Sequence, residues 1–175
     1  YRHNGGTWAH WQTQTLATSA AFNALRDGVY DFEARAVDKV GNVEDFEGVV
    51  EASITVDTQP PTSSIDPLPG VTGDTSFTVS WSGSDATAGI QYYDVRYRFN
   101  GGLWMMWLAQ TLATEASFPA DEGDGLYEFE VRAVDDFGLE EPFAGEAEAS
   151  IMVDAEAPFL EARVWLPLVI AYPSP

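Results

Sequence analysis

Gly125-Leu126-Tyr127-Glu128-Phe129-Glu130-Val131-Arg132-Ala133-Val134-Asp135 is the stretch that decides the fold. Tyr127, Phe129, Val131 and Ala133 fall on one side of an extended chain, and Glu128, Glu130 and Arg132 fall on the other. A period of two describes a strand with one apolar face. Gly28-Val29-Tyr30-Asp31-Phe32-Glu33-Ala34-Arg35-Ala36-Val37-Asp38 repeats it 97 residues earlier. The likeness extends in both directions. Upstream, Tyr1-Arg2-His3-Asn4-Gly5-Gly6-Thr7-Trp8 returns as Tyr97-Arg98-Phe99-Asn100-Gly101-Gly102-Leu103-Trp104. Downstream, Glu51-Ala52-Ser53-Ile54-Thr55-Val56-Asp57 returns as Glu148-Ala149-Ser150-Ile151-Met152-Val153-Asp154. With a one-residue insertion near Asp121, 34 of 59 aligned positions are identical.

A repeat of this length is too long for a solenoid and suits tandem globular modules. Residues 62–158 form the complete copy. Residues 1–58 lack the counterpart of residues 62–96, and residues 159–175 are an apolar tail. The short linkers Asp57-Thr58-Gln59-Pro60-Pro61 and Asp154-Ala155-Glu156-Ala157-Pro158 contain proline and are expected to be stiff. Other alternating runs place Phe77, Val79 and Trp81, then Tyr93, Val95, Tyr97 and Phe99, then Ala147, Ala149, Ile151 and Val153 on apolar faces. Asn100-Gly101-Gly102 and Asp124-Gly125 supply turns. About seven short strands per copy predict an all-β chain of antiparallel two-sheet sandwiches, the first one incomplete. Without its missing strands the first copy exposes Phe32, Ala34, Ile54 and Val56, so those strands lie upstream or come from another chain.

Trp81, Tyr93, Val95 and the run from Gly125 to Asp135 resemble the fibronectin type III or Ig-like modules of secreted and surface bacterial proteins. Tyr127, just after Asp124-Gly125, is similar to the tyrosine-corner position, which implies a hydroxyl bonded to upstream backbone. The resemblance covers the complete copy and most of the first. It implies an architecture and carries no ligand.

Composition narrows the partners. Among 175 residues, 28 Asp and Glu oppose 8 Lys and Arg, for a formal net charge of −20. Such a surface repels phosphate backbones and anionic headgroups, which excludes nucleic acid and acidic membrane. No run approaches the roughly 20 apolar residues of a membrane helix. With no cysteine, disulfides and thiolate chemistry are absent. The chain opens on Tyr1 with no signal segment, as an excerpt from a longer protein would. Catalysis has little to work with, since the counterparts of His3 and His10 in the second copy are the apolar Phe99 and Met106. The expectation is no enzyme.

Four groups of residues are candidates for a role. Trp8 and Trp11, repeated as Trp104 and Trp107, could stack on sugar rings; the competing reading packs one ring in the core and lays the other over a sheet edge. Asp57, Asp85, Asp135 and Asp136 gather at one end of such a sandwich and are candidate calcium ligands; otherwise Asp38 and Asp135 simply open Asp-x-x-Gly turns closed by Gly41 and Gly138. Arg96, Arg98, Glu128, Glu130 and Arg132, with Arg2, Asp31, Glu33 and Arg35, are expected to form cross-strand pairs on a solvated face. In the tail, Val164, Trp165, Leu166, Leu168, Val169 and Ile170 are candidates for strand donation or anchoring. The resulting expectation is a non-catalytic array at the cell surface or outside the cell, used for spacing, adhesion or filament assembly. Its partners would be neighbouring modules or further copies. The alternative is a polysaccharide-binding accessory module of a larger secreted enzyme.

Overall fold

The computed structural model describes residues 1–156, and every regular element among them is a strand. In the first copy β1 (Arg2–His3), β2 (Gly28–Phe32) and β3 (Ala52–Val56) form one antiparallel sheet in the order β1-β2-β3. In the second, β4 (Thr62–Ile65), β6 (Ser76–Ser84) and β9 (Glu115–Pro119) form a sheet in the order β4-β6-β9. Facing it are β5 (Val71–Thr72), β7 (Ile90–Phe99), β8 (Met105–Thr111), β10 (Gly125–Asp135) and β11 (Ala149–Val153), in the order β5-β11-β10-β7-β8. Eight strands stand where about seven were expected. The extra one is the two-residue β5, which runs parallel to β11.

The core between the two sheets follows the alternation. Val79, Trp81 and Phe118 from one sheet meet Val95, Tyr127, Phe129 and Ile151 from the other, all buried. Phe118 and Phe129 meet edge to face with centroids 4.9 Å apart, a favoured aromatic geometry. The Tyr127 hydroxyl donates to the Gly123 carbonyl at 2.9 Å, and Tyr30 does the same to Arg26 at 2.9 Å. Both copies therefore close the corner before their long strand in the expected way. Ala147 departs from expectation: β11 starts only at Ala149, and Ala147 is exposed.

Two local choices set the register around β10. Asn100 and Gly101 take φ of 48° and 69°, and the Gly102 amide donates back to the Phe99 carbonyl at 2.9 Å. That is the left-handed two-residue turn for which Asn-Gly is the preferred pair. Gly125 lies against the Phe99 ring at a φ of 154°, where a side chain would collide with that ring.

Tyr97 closes the core beside this turn, and its hydroxyl donates to Glu122 Oε1 at 2.7 Å. Burial, reinforced by the Glu122 carboxylate, pushes its phenol up to about 12 from an ordinary value of 10. The unfolded phenol ionises near 10 and the folded one near 12, so this contribution to stability is intact below pH 10 and fades between pH 10 and 12. Urea midpoints at pH 9 and pH 11 check this: the natural chain should lose more than Tyr97→Phe over that interval. Equal losses would refute it.

Candidate functional site

Trp107 lies in β8 and is half-buried against the core, while Trp104, just before β8, lies on the outer face under two arginines. The Trp107 ring packs on Trp81 at 6.1 Å and on Phe118 at 5.1 Å. The Trp104 ring is covered by the guanidinium groups of Arg96 and Arg98, 4.8 and 4.6 Å from its centroid. In the first copy Trp8 lies under Arg2 at 4.8 Å, while Trp11, 39% exposed, packs on Phe22 and Phe32 at 5.2 and 5.9 Å. Pairing jumps from Met106 opposite Arg96 to Leu108 opposite Val95, so the bulge falls at Trp107 itself and leaves the two rings on opposite sides.

The charged outer face forms the expected cross-strand pairs, but it is not a solvated face. Arg98 bonds Glu128 at 2.8 Å and Arg96 bonds Glu130 at 2.6 Å. Arg132 bonds both Asp94 and Glu140, at 2.8 and 2.9 Å. Glu130 is only 1% exposed and Asp94 only 5%. Their cover is the segment after β10, which folds back over the sheet. The Phe143 ring sits 4.0 Å from Arg96 and 4.9 Å from Arg132, and the Gly145 amide donates to Glu130 Oε1 at 2.8 Å. The first copy repeats the device. Arg2 bonds Asp31 at 2.8 Å, Arg35 lies over Phe46 at 4.5 Å, and Glu33 accepts the Glu47 and Gly48 amides at 2.7 and 2.8 Å. Bonds from Ser53 and Arg2 hold the Asp31 carboxyl below its ordinary value.

At the end of the sandwich where the linker enters, one carboxylate oxygen each from Asp57, Asp85 and Asp135 lies within 4.8 Å of the other two. Asp57 follows β3, Asp85 opens the β6–β7 loop and Asp135 ends β10. The Thr87 and Ala88 amides donate to Asp85 Oδ1 at 2.7 and 2.8 Å and hold its carboxyl below the ordinary value. Asp135 also opens its turn as expected. Its Oδ1 accepts the Phe137 and Leu139 amides at 2.8 and 2.9 Å, and Gly138 takes a φ of 80°. Asp136 does not join the group. It is exposed, and its amide donates to the Gly89 carbonyl at 3.0 Å. Alternation explains this, since an inward Asp135 turns its neighbour outward.

Two comparisons bear on this architecture. No protein-family model matches the chain. Chitinase A1 of Niallia circulans is 31% identical to it over 141 residues. That alignment covers 78% of the chain and 19% of the chitinase, so the chain spans about a fifth of its curated relative.

The histidines have structural placements: His3 Nε2 bonds the Asp27 carbonyl at 2.8 Å, and the His10 ring packs on Phe46 at 6.1 Å. Among the described residues no helix is long and apolar enough to cross a membrane. Val164, Trp165, Leu166, Leu168, Val169 and Ile170 lie outside the described residues. Sequence reasoning missed Asp94 as the partner of Arg132, and it missed Phe143 and Gly145, which cover and anchor the charged face. For the last two a signal existed: Phe46 and Gly48 reappear as Phe143 and Gly145, although the segments around them diverge.

Proposed function

We propose that this chain is a non-catalytic, fibronectin type III-like spacer within a larger extracellular protein that acts on a polysaccharide. The observation carrying the reading is the placement of the tryptophans, Trp107 in the core and Trp104 beneath two arginines, which assigns them to packing. The similarity to part of a chitinase supports the polysaccharide context. It also favours a second reading, in which the chain itself holds the polymer through Trp104 or Trp11.

Retention on insoluble chitin separates the two. A spacer leaves the chain in the supernatant, and Trp104→Ala changes nothing. Trp107→Ala, which empties part of the core, is expected to cost about 3 kcal/mol of stability without affecting retention. Retention that disappears in Trp104→Ala at unchanged stability would establish the second reading and overturn the first.

A further inference from the structure

The acidic group at the linker carries a second observation that points to a ligand. Asp135 is 0% exposed, its Oδ1 is committed to the amides of its own turn, and its Oδ2 has no hydrogen-bond partner. Oδ2 is therefore the oxygen left to face the other two carboxylates. Asp57 Oδ2 is likewise buried without a partner. Among the described residues no arginine or lysine forms an ion pair with any of the three. Buried carboxylates are ordinarily paired, hydrogen-bonded or bound to metal, because losing water is so costly for a charge.

The first copy supplies the contrast. Asp38 opens the same turn, and there the Asn42 side-chain amide donates to Asp38 Oδ2 at 2.6 Å. Leu139 occupies the equivalent position in the second copy and has no side-chain donor to give. The turn is unchanged, while the oxygen facing the linker has lost its partner.

We infer that Asp57, Asp85 and Asp135 bind a calcium ion that ties the linker to the end of the second sandwich. The donors are all hard oxygens. Calcium holds such ligands at about 2.3–2.6 Å, so oxygens on opposite sides of one ion stand about 4.6–5.2 Å apart. The three oxygens, all within 4.8 Å of one another, are close enough to share one such ion. Magnesium demands near-ideal octahedral geometry at about 2.0–2.1 Å and gives up its waters reluctantly, so carboxylates converging from separate segments suit calcium better. The ion would tie the linker to the β6–β7 loop and the end of β10, two segments that the backbone already pairs at Ile90 and Asp135. This site is independent of the spacer reading, because neither outcome on chitin alters it.

Thermal unfolding of the whole chain, stripped of metal, tests the inference in calcium chloride, in magnesium chloride at equal ionic strength, and in chelator. Calcium at a hundredfold excess over its Kd should raise the midpoint by roughly 10 °C, with magnesium giving a small fraction of that. Asp57→Ala lies in the linker, outside the core, and should abolish the increment. Leu139→Asn keeps all three carboxylates but offers Asp135 the internal donor seen in the first copy, and should shrink it. Asp38→Asn should leave it intact. Equal midpoints in calcium and chelator, an equal rise in magnesium, or a full increment in Asp57→Ala would each overturn the assignment.

Discussion

Trp81→Ala is expected to cost about 3–5 kcal/mol, a large part of the roughly 5–15 kcal/mol that holds a domain of this size together. Trp81 is 2% exposed, pairs across the sheet with Ile65 and packs its ring against Trp107. Removing it leaves a cavity between the sheets at the point where β4 and β6 meet the bulge of β8. The same residue has a defect: its indole N–H is buried with no hydrogen-bond partner. Such a donor costs about 1–3 kcal/mol. Trp81→Phe removes that orphan while keeping most of the apolar surface, so it should cost far less than Trp81→Ala. Urea unfolding of both variants checks the pair. Similar losses from the two would mean that filling the space is not what Trp81 contributes.

Arg96→Met is the second large effect. Glu130 has two protein partners for its charge, the Arg96 guanidinium and the Gly145 amide. Methionine keeps much of the volume between Trp104 and Phe143 but leaves a carboxylate buried beside a single amide. Breaking one side of a buried pair costs about 3–5 kcal/mol. Adding Glu130→Gln to that background should recover a large share, because the amide oxygen still accepts from Gly145 and no charge remains to desolvate. If Arg96→Met costs less than about 1 kcal/mol, the pair is behaving as an exposed one and the cover formed by Phe143 is not closed. In the first copy Arg2→Met, whose counterpart is Arg98→Met rather than Arg96→Met, should be milder, because Ser53 also donates to Asp31 there.

The strands of the second copy were readable because the pattern of the chain and the pattern of burial coincide. Tyr127, Phe129, Val131 and Ala133 are all buried on one face of β10, and Phe77, Val79 and Trp81 follow on β6. Tyr127 kept its expected hydrogen bond because Asp124-Gly125 fixes the turn from which the strand starts. The charged face was half legible. Alternation placed Arg96, Arg98, Glu128 and Glu130 together, yet alternation describes one strand pair and not what lies on top of it. Water was the default occupant, whereas Phe143 and Gly145 take that place, from a segment with no period of two to betray it.

The site divides in the same way. Asp57, Asp85 and Asp135 were singled out because the topology of a sandwich brings the linker and two loops to one end, and alternation then separates Asp135 from Asp136. A tryptophan spacing of three implied opposite faces, and the bulge at Trp107 fell where it could not reverse them.

By itself the sequence determined the strand class, the repeat, the inward residues and the turns, since each follows from side-chain period and backbone preference within a few residues. Only the tertiary structure decided that Glu130 and Asp94 are buried beneath half-buried arginines and an aromatic cover, that Trp104 is sheltered by arginines, and that Asp135 meets Asp57 without a donor to share. Those outcomes depend on which distant segment fills the space beside a residue, and close packing settles that only after the sheets have met.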